Sequence, residues 1–235
     1  MEIVFPPVPF AVMMLTPCDW EDFAYGFSFT EGVIGMRSDI RDVTITTVSE
    51  GIRLEVRLAS DTLAQHLGRR RALAGRTGCG LCGIEDLSQL PQMAQVNTLH
   101  GAPLSRAAIS RALAEMESRQ PLNAATHAVH AAALANADGE LLLVREDVGR
   151  HNALDKLIGA ALRSDLEPGQ GFVVISSRAS YEMVEKAARF GARALVAISA
   201  PTSLAIARAA HYGIGLMAVA RHDSALVFAN TKMFS

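Results

Sequence analysis

Two cysteines, Cys79 and Cys82, stand two residues apart inside the stretch GRTGCGLCG, Gly75 to Gly83. A thiol does its chemistry as thiolate, and a neighbouring cation raises the thiolate fraction. Arg69, Arg70 and Arg71 run directly before the stretch, and Arg76 lies within it. Gly75, Gly78, Gly80 and Gly83 interleave with the cysteines. That glycine density suits neither helix nor strand, because each glycine adds backbone entropy that folding must remove. The residues therefore predict two reactive thiols on a mobile loop. Two other readings use the same residues. A zinc site needs four ligands, and a lone C-x-x-C supplies half of them. Cys18 and the pair His127/His130 would have to complete it in space, since no second C-x-x-C exists. A thioredoxin-like dithiol wants its cysteines at a strand-to-helix junction; here a helix-like stretch precedes them and turn residues follow.

A second constellation lies in four polar runs. They are REDVGRHNALDK (Arg145 to Lys156), SSRASYEM (Ser176 to Met183), ISAPTS (Ile198 to Ser203) and ARHD (Ala220 to Asp223). Several lead into predicted helix starts, where free backbone N–H groups attract anions. Arg150, Arg178 and Arg221 add forked donors, and Asp147, His151, Asn152 and Ser177 add groups able to meet a base. One such run alone is ordinary capping; four together favour a phosphate-bearing ligand.

The elements that position these residues are readable from periodicity. Phe10 to Leu15 reads as a buried strand, and Thr16-Pro17 as a helix start with Thr as N-cap and Pro at the first position. That helix would bury Trp20, Phe23 and Phe27 and end near Gly32 or Gly35. Cys18 on it reads as a small hydrophobe. Val43 to Val48 and Ile52 to Leu58 alternate around Ser49-Glu50-Gly51 as a hairpin. Asp61 caps a helix running to Leu73. Pro91 to Pro103 is a connector without pattern. Ser105 caps a helix over Arg106 to Arg119. Ala128 to Ala135 and Glu140 to Arg145 form a second hairpin around Asn136 to Gly139. Helices over Asn152–Arg163, Glu182–Phe190 and Ser203–Tyr212 then alternate with strands Phe172–Ser176, Ala194–Ile198 and Gly215–Val219. Ala225 to Phe228 closes the chain as an edge strand. The β-α-β-α order predicts a largely parallel sheet covered on both faces, with ligands at the strands' carboxyl ends. The expected division is a small α+β unit, 1–95, ending in the cysteine loop, and an α/β unit, 104–235.

Composition excludes several classes. The 235 residues carry a formal charge of −2 and are 50% hydrophobic. Nothing global suggests nucleic acid or an anionic membrane as partner. No apolar run reaches the roughly 18 residues of a membrane helix, and no secretory leader is visible at Met1 to Pro9. Three cysteines do not make a disulfide framework, so a reducing cytoplasm is expected. A zinc deaminase is also excluded: Thr126-His127-Ala128 lacks its glutamate, and no cysteine follows Cys82.

Four stretches carry a resemblance: RRRALAGRTGCGLCGIEDL, TPCDWEDFAYGFSFTEG, REDVGRHNALDKLIG and SSRASYEMVEKAARFG. Together they resemble the formate dehydrogenase accessory sulfurtransferase family, FdhD. The resemblance implies a cytoplasmic, homodimeric sulfur carrier. It would take persulfide sulfur from a cysteine desulfurase and pass it to the molybdenum (or tungsten) bis-guanine-dinucleotide cofactor before that cofactor enters formate dehydrogenase. It further implies a cytidine-deaminase-like second domain, Cys79 as persulfide carrier with Cys82 as its companion, and a cofactor-binding segment at Ala218, Val219, Ala220, Arg221, His222 and Asp223. A free guanine nucleotide would mimic part of that cofactor; Asp147, Arg150, His151, Asn152, Ser177 and Arg178 are the expected contacts, and no metal ligands are assigned. The segment departs from the family's typical pattern: it keeps a basic residue, Arg221, but reads AVARHD where a Gly and a Pro-Gly turn are usual. The alternatives from other classes are a nucleotide-binding regulatory module with a redox or zinc C-x-x-C, and a chaperone that shelters the cofactor without carrying sulfur.

Overall fold

The computed structural model describes residues 1–59, 102–221 and 223–235. The expected helix from Asp61 to Leu73, the arginine run, Cys79, Cys82, most of the connector and His222 lie outside the described residues.

The amino-terminal part forms a four-stranded sheet and one long helix. Strands β1 (Glu2–Phe5), β2 (Val8–Val12), β3 (Ile40–Val48) and β4 (Gly51–Leu58) lie in the order β2-β1-β4-β3. The β3–β4 hairpin is the one its alternation predicts. β1 was not expected, and Phe10 to Leu15 is not a buried strand: β2 ends at Val12 and pairs only with β1. Being an edge, it leaves Val12 and Met14 exposed, at 77% and 81%. Helix α1 (Trp20–Thr30) covers the sheet with Phe23 and Phe27 against Ile3, Phe5, Leu54 and Val56.

Helix α1 starts three residues later than Thr16-Pro17 suggests, with Asp19 at its N-cap. The reason is long-range. Thr16 donates its N–H to Asp147 Oδ2 (3.0 Å), and its hydroxyl accepts from Val148 N–H (2.9 Å). Its capping capacity is used across the molecule.

The second part follows α2 (Arg106–Ser118), capped by Ser105 through Ala108 N–H, and α3 (Pro121–Thr126). Then come β5 (His130–Asn136), β6 (Leu141–Asp147), α4 (Arg150–Arg163), β7 (Gly171–Ile175), α5 (Tyr181–Phe190), β8 (Ala194–Ala197), α6 (Ser203–Tyr212), β9 (Gly215–Ala218) and β10 (Leu226–Ala229). The sheet order is β10-β9-β8-β7-β5-β6. It is mixed rather than largely parallel: only β7, β8 and β9 pair in parallel. The β5–β6 hairpin inserts β5 antiparallel to β7, and β10 returns antiparallel to β9. Side chains alternate faces along each strand. Val173 and Ile175 of β7 meet α4, α5 and α6 through Leu154, Leu157, Met183, Val184 and Tyr212. Phe172 and Val174 meet Ile109, Leu113 and Met116 of α2 on the other face.

The two sheets are joined by α1 lying against α4. A Cβ on Gly26 would sit 1.7 Å from the Asp155 carbonyl oxygen, and one on Gly159 would sit 1.8 Å from that of Asp22. Two glycines thus set the helix separation. Charged groups flank this contact. Asp22 is buried and receives Arg145 (2.8 Å) and Arg163 (2.5 Å). Asp155 accepts from Thr30 Oγ1 (2.7 Å) and pairs with Lys186 (2.8 Å). Buried carboxylates persist where their partners are this close.

Candidate functional site

Strand direction brings the four polar runs to one edge. β6 and β7 are both antiparallel to β5, so they point the same way, and β8 and β9 run with β7. The carboxyl ends of β6, β7, β8 and β9 therefore share a single rim of the sheet. From β6 to β9 the order spans four inter-strand steps, about 19 Å at ~4.8 Å each. Helices α4, α5 and α6 all start from this rim.

At the β6 end, Asp147 has no exposure and forms a 2.7 Å ion pair with Lys156, itself fully buried. Its other bonds come from Thr16 N–H, Gly149 N–H (2.8 Å) and Asn152 Nδ2 (3.0 Å). Asn152 is also buried, and donates to the Met14 carbonyl (2.9 Å). Both side chains are spent on fixing the β6–α4 turn and the segment 14–16. Sequence reasoning passed over Lys156 and Thr16 here. Asn152 and Lys156 are four apart on one helix, which places them on the same face; that spacing was the available signal.

Arg150 and His151 open α4. His151 Nε2 lies 2.9 Å from Glu182 Oε2, joining the first turns of α4 and α5. His130, opposite Asp147 in the β5–β6 register, closes the group. Burial pushes the His130 imidazole below its usual range, and the charges of Arg150 and His151 push it further the same way. Among the described residues, Arg150 Nε and Ser180 Oγ are buried without a hydrogen-bond partner. Ser180 holds the N-cap position of α5 but makes no capping bond there.

At the β7 end Ser177 is buried and donates to the Arg178 carbonyl (3.1 Å), while Arg178 is exposed. At the β9 end Ala218 and Ala220 are buried and Val219 is exposed, with φ 52. Left-handed backbone is strained for a β-branched residue and easy for glycine. Val219 N–H bonds the Ser199 carbonyl (3.2 Å) and Ala220 N–H that of Ala197 (3.1 Å), so the turn folds onto β8. Arg221 donates to the Ile198 (2.5 Å) and Ala220 (2.9 Å) carbonyls. Asp223 is exposed.

Cys18 is half-buried beside Lys156, with Nζ 3.7 Å from Sγ. Burial raises its thiol above the usual range, with Lys156 opposing. Among the described residues no group of His, Cys, Asp and Glu is arranged to hold a metal ion, and no helix is long and apolar enough to cross a membrane.

The FdhD/NarQ family model matches residues 1–234. The chain belongs to the FdhD/NarQ family. A relative from Xanthomonas euvesicatoria pv. vesicatoria named sulfur carrier protein FdhD is 46% identical over 97% of this chain and 81% of its own. One of the same name from Bordetella bronchiseptica is 45% identical over 97% and 82%. A crystal structure of a proposed formate dehydrogenase accessory protein from Desulfotalea psychrophila superposes with TM-score 0.74 at 27% identity, covering 100% of this chain and 87% of that one. The missing turn glycine noted in the sequence falls in the run that contains Val219, the rim residue with left-handed backbone.

Proposed function

We propose that this chain is a sulfur carrier that serves formate dehydrogenase. Cys79 thiolate attacks the terminal sulfur of a persulfide on a cysteine desulfurase. A new S–S bond forms on Cys79, the donor's S–S bond breaks, and the donor leaves as thiolate. The sulfur then goes to a molybdenum (or tungsten) bis-guanine-dinucleotide cofactor, which is a bound substrate here, before formate dehydrogenase receives it. Cys82 shares or resolves the carried sulfur. The observation that carries this reading is whole-chain family membership together with the retained Cys79-x-x-Cys82 pair in its glycine stretch.

The rim of the second sheet is the cofactor's place in this scheme. Arg150, His151, Ser177 and Arg178 at one end and Ala218 to Asp223 at the other suit an extended, multiply anionic molecule, with helix starts and arginines for its phosphates. Asp147 and Asn152 serve it indirectly by holding the turn. The second unit is taken as cytidine-deaminase-like, and the working form as a cytoplasmic homodimer whose symmetry supplies a guanine site for each arm of the cofactor. Incubation with a desulfurase, cysteine and the cofactor tests the scheme: the cofactor should gain sulfur only when this protein is present. A cofactor that gains sulfur equally without it contradicts the proposal.

A further inference from the structure

We propose that Arg193 anchors a second anion site, one that takes a small monovalent carboxylate at the amino edge of the second sheet. The site is independent of the rim's ligand and of sulfur carriage.

Arg193 directly precedes β8, and its carbonyl accepts the Gly215 N–H that opens β9 (2.9 Å). That places it at the amino ends of two parallel strands, the edge opposite the rim. Two further segments converge there. The Phe234 ring lies 3.0 Å from where a Cβ on Gly215 would stand. Leu104 N–H donates to the Met233 carbonyl (2.7 Å), and the Leu104 carbonyl accepts from Ser235 N–H (3.0 Å), so the two segments run side by side. Arg193 reaches this strip: its Nη2 donates to the Ala102 carbonyl (2.7 Å).

Arg193 is the only buried arginine among the described residues, at 4% exposed. A guanidinium stays protonated in proteins, so burial cannot discharge it. Arg37, Arg53, Arg119, Arg145, Arg163 and Arg208 each meet a carboxylate. Among the described residues Arg193 meets none, and its Nε is buried without a hydrogen-bond partner. A buried charge is strongly unfavourable unless an opposite charge and hydrogen bonds meet it. One neutral carbonyl supplies no charge and satisfies one donor. What is left over defines the ligand. A single positive charge calls for a monoanion. A planar N–H fork matches a carboxylate. The slight exposure admits only a small one. Bound there, it completes the charge and fastens residues 102–104 to the start of β8.

The test uses formate, the smallest carboxylate, on the full chain in a carboxylate-free buffer, with chloride at equal ionic strength as reference. Thermal unfolding and titration calorimetry are read together. The unfolding midpoint should climb with the logarithm of formate concentration above about 1 mM, near the tightest binding that three heavy atoms allow. Arg193→Met should lose that response. Arg193→Lys keeps a charge without the fork and should respond several-fold more weakly, which serves if the methionine variant does not fold. Phosphate, a rim ligand, should shift the parent and the Arg193 variants equally. A parent that responds to formate no more than to chloride overturns the site. A formate response that survives undiminished in the variants overturns it as well. A phosphate response lost together with Arg193 overturns the carboxylate assignment.

Discussion

Asp147 and Lys156 meet at 2.7 Å with neither side chain exposed, and this pair ties the first strand end of the rim to the segment entering α1. Lys156 Nζ also reaches the Thr16 carbonyl (3.1 Å), and Asp147 takes the Thr16 N–H. Replacing Lys156 by Met leaves a buried carboxylate without its cation. Lys156→Met should lose about 3–5 kcal/mol of stability, read from the shift in denaturant midpoint. A loss below about 1 kcal/mol, the surface-pair range, would contradict the structural role given to the pair.

The helix contact between the two sheets makes a separate prediction. Gly26 and Gly159 admit no Cβ without displacing backbone. Gly26→Ala should destabilise by about 1–3 kcal/mol or more through overpacking, although alanine is the better helix former. Thermal unfolding of the variant decides between the two effects; a raised midpoint would mean the helices are not so closely apposed.

Val219 yields the opposite sign. Its left-handed backbone is unfavourable by about 1–2 kcal/mol for an L-residue, and glycine's extra unfolded-state entropy removes about 0.5–1 of what relief would add. Val219→Gly should therefore stabilise by up to about 1 kcal/mol. Val219 is 38% exposed, so the packing lost with its side chain further limits the gain. A clear decrease in the midpoint would show that the valine side chain matters more than its backbone.

Much of this fold was legible because its signals are local. The hairpin over Ile40–Val48 and Gly51–Leu58 and the alternation of helices and strands after residue 150 follow from short-range pattern. What failed depended on distant partners. The start of α1 was misplaced because Thr16 bonds residues 147 and 148 instead of its own helix. Parallel pairing was overestimated because a hairpin places β5 between β6 and β7, which periodicity does not encode. The burial of Asp147 and Asn152 depends on distant partners too, and is not visible in REDVGRHNALDK. That Arg150, His151 and Arg178 lie at strand carboxyl ends beside helix starts was legible, because that placement follows from the local strand-to-helix pattern.

The rim's nucleotide reading makes a binding prediction. Guanosine diphosphate should bind the second unit better than its adenosine analogue. Arg178→Ala, at an exposed position, should weaken it by about 1.5–3 kcal/mol, the scale of one charged hydrogen bond. Isothermal titration measures both. Equal affinity for the two nucleotides, or an Arg178→Ala variant that binds as well as the parent, would remove the proposed contacts.

The central claim is that sulfur rides on Cys79. The most direct measurement is peptide mass spectrometry after incubation with a cysteine desulfurase and cysteine. The peptide bearing Cys79 should gain the mass of one sulfur, and reductant should remove it. Cys79→Ala should neither load nor support formate dehydrogenase, while unfolding like the parent. A Cys79→Ala protein that still delivers sulfur and restores formate dehydrogenase activity would contradict the account.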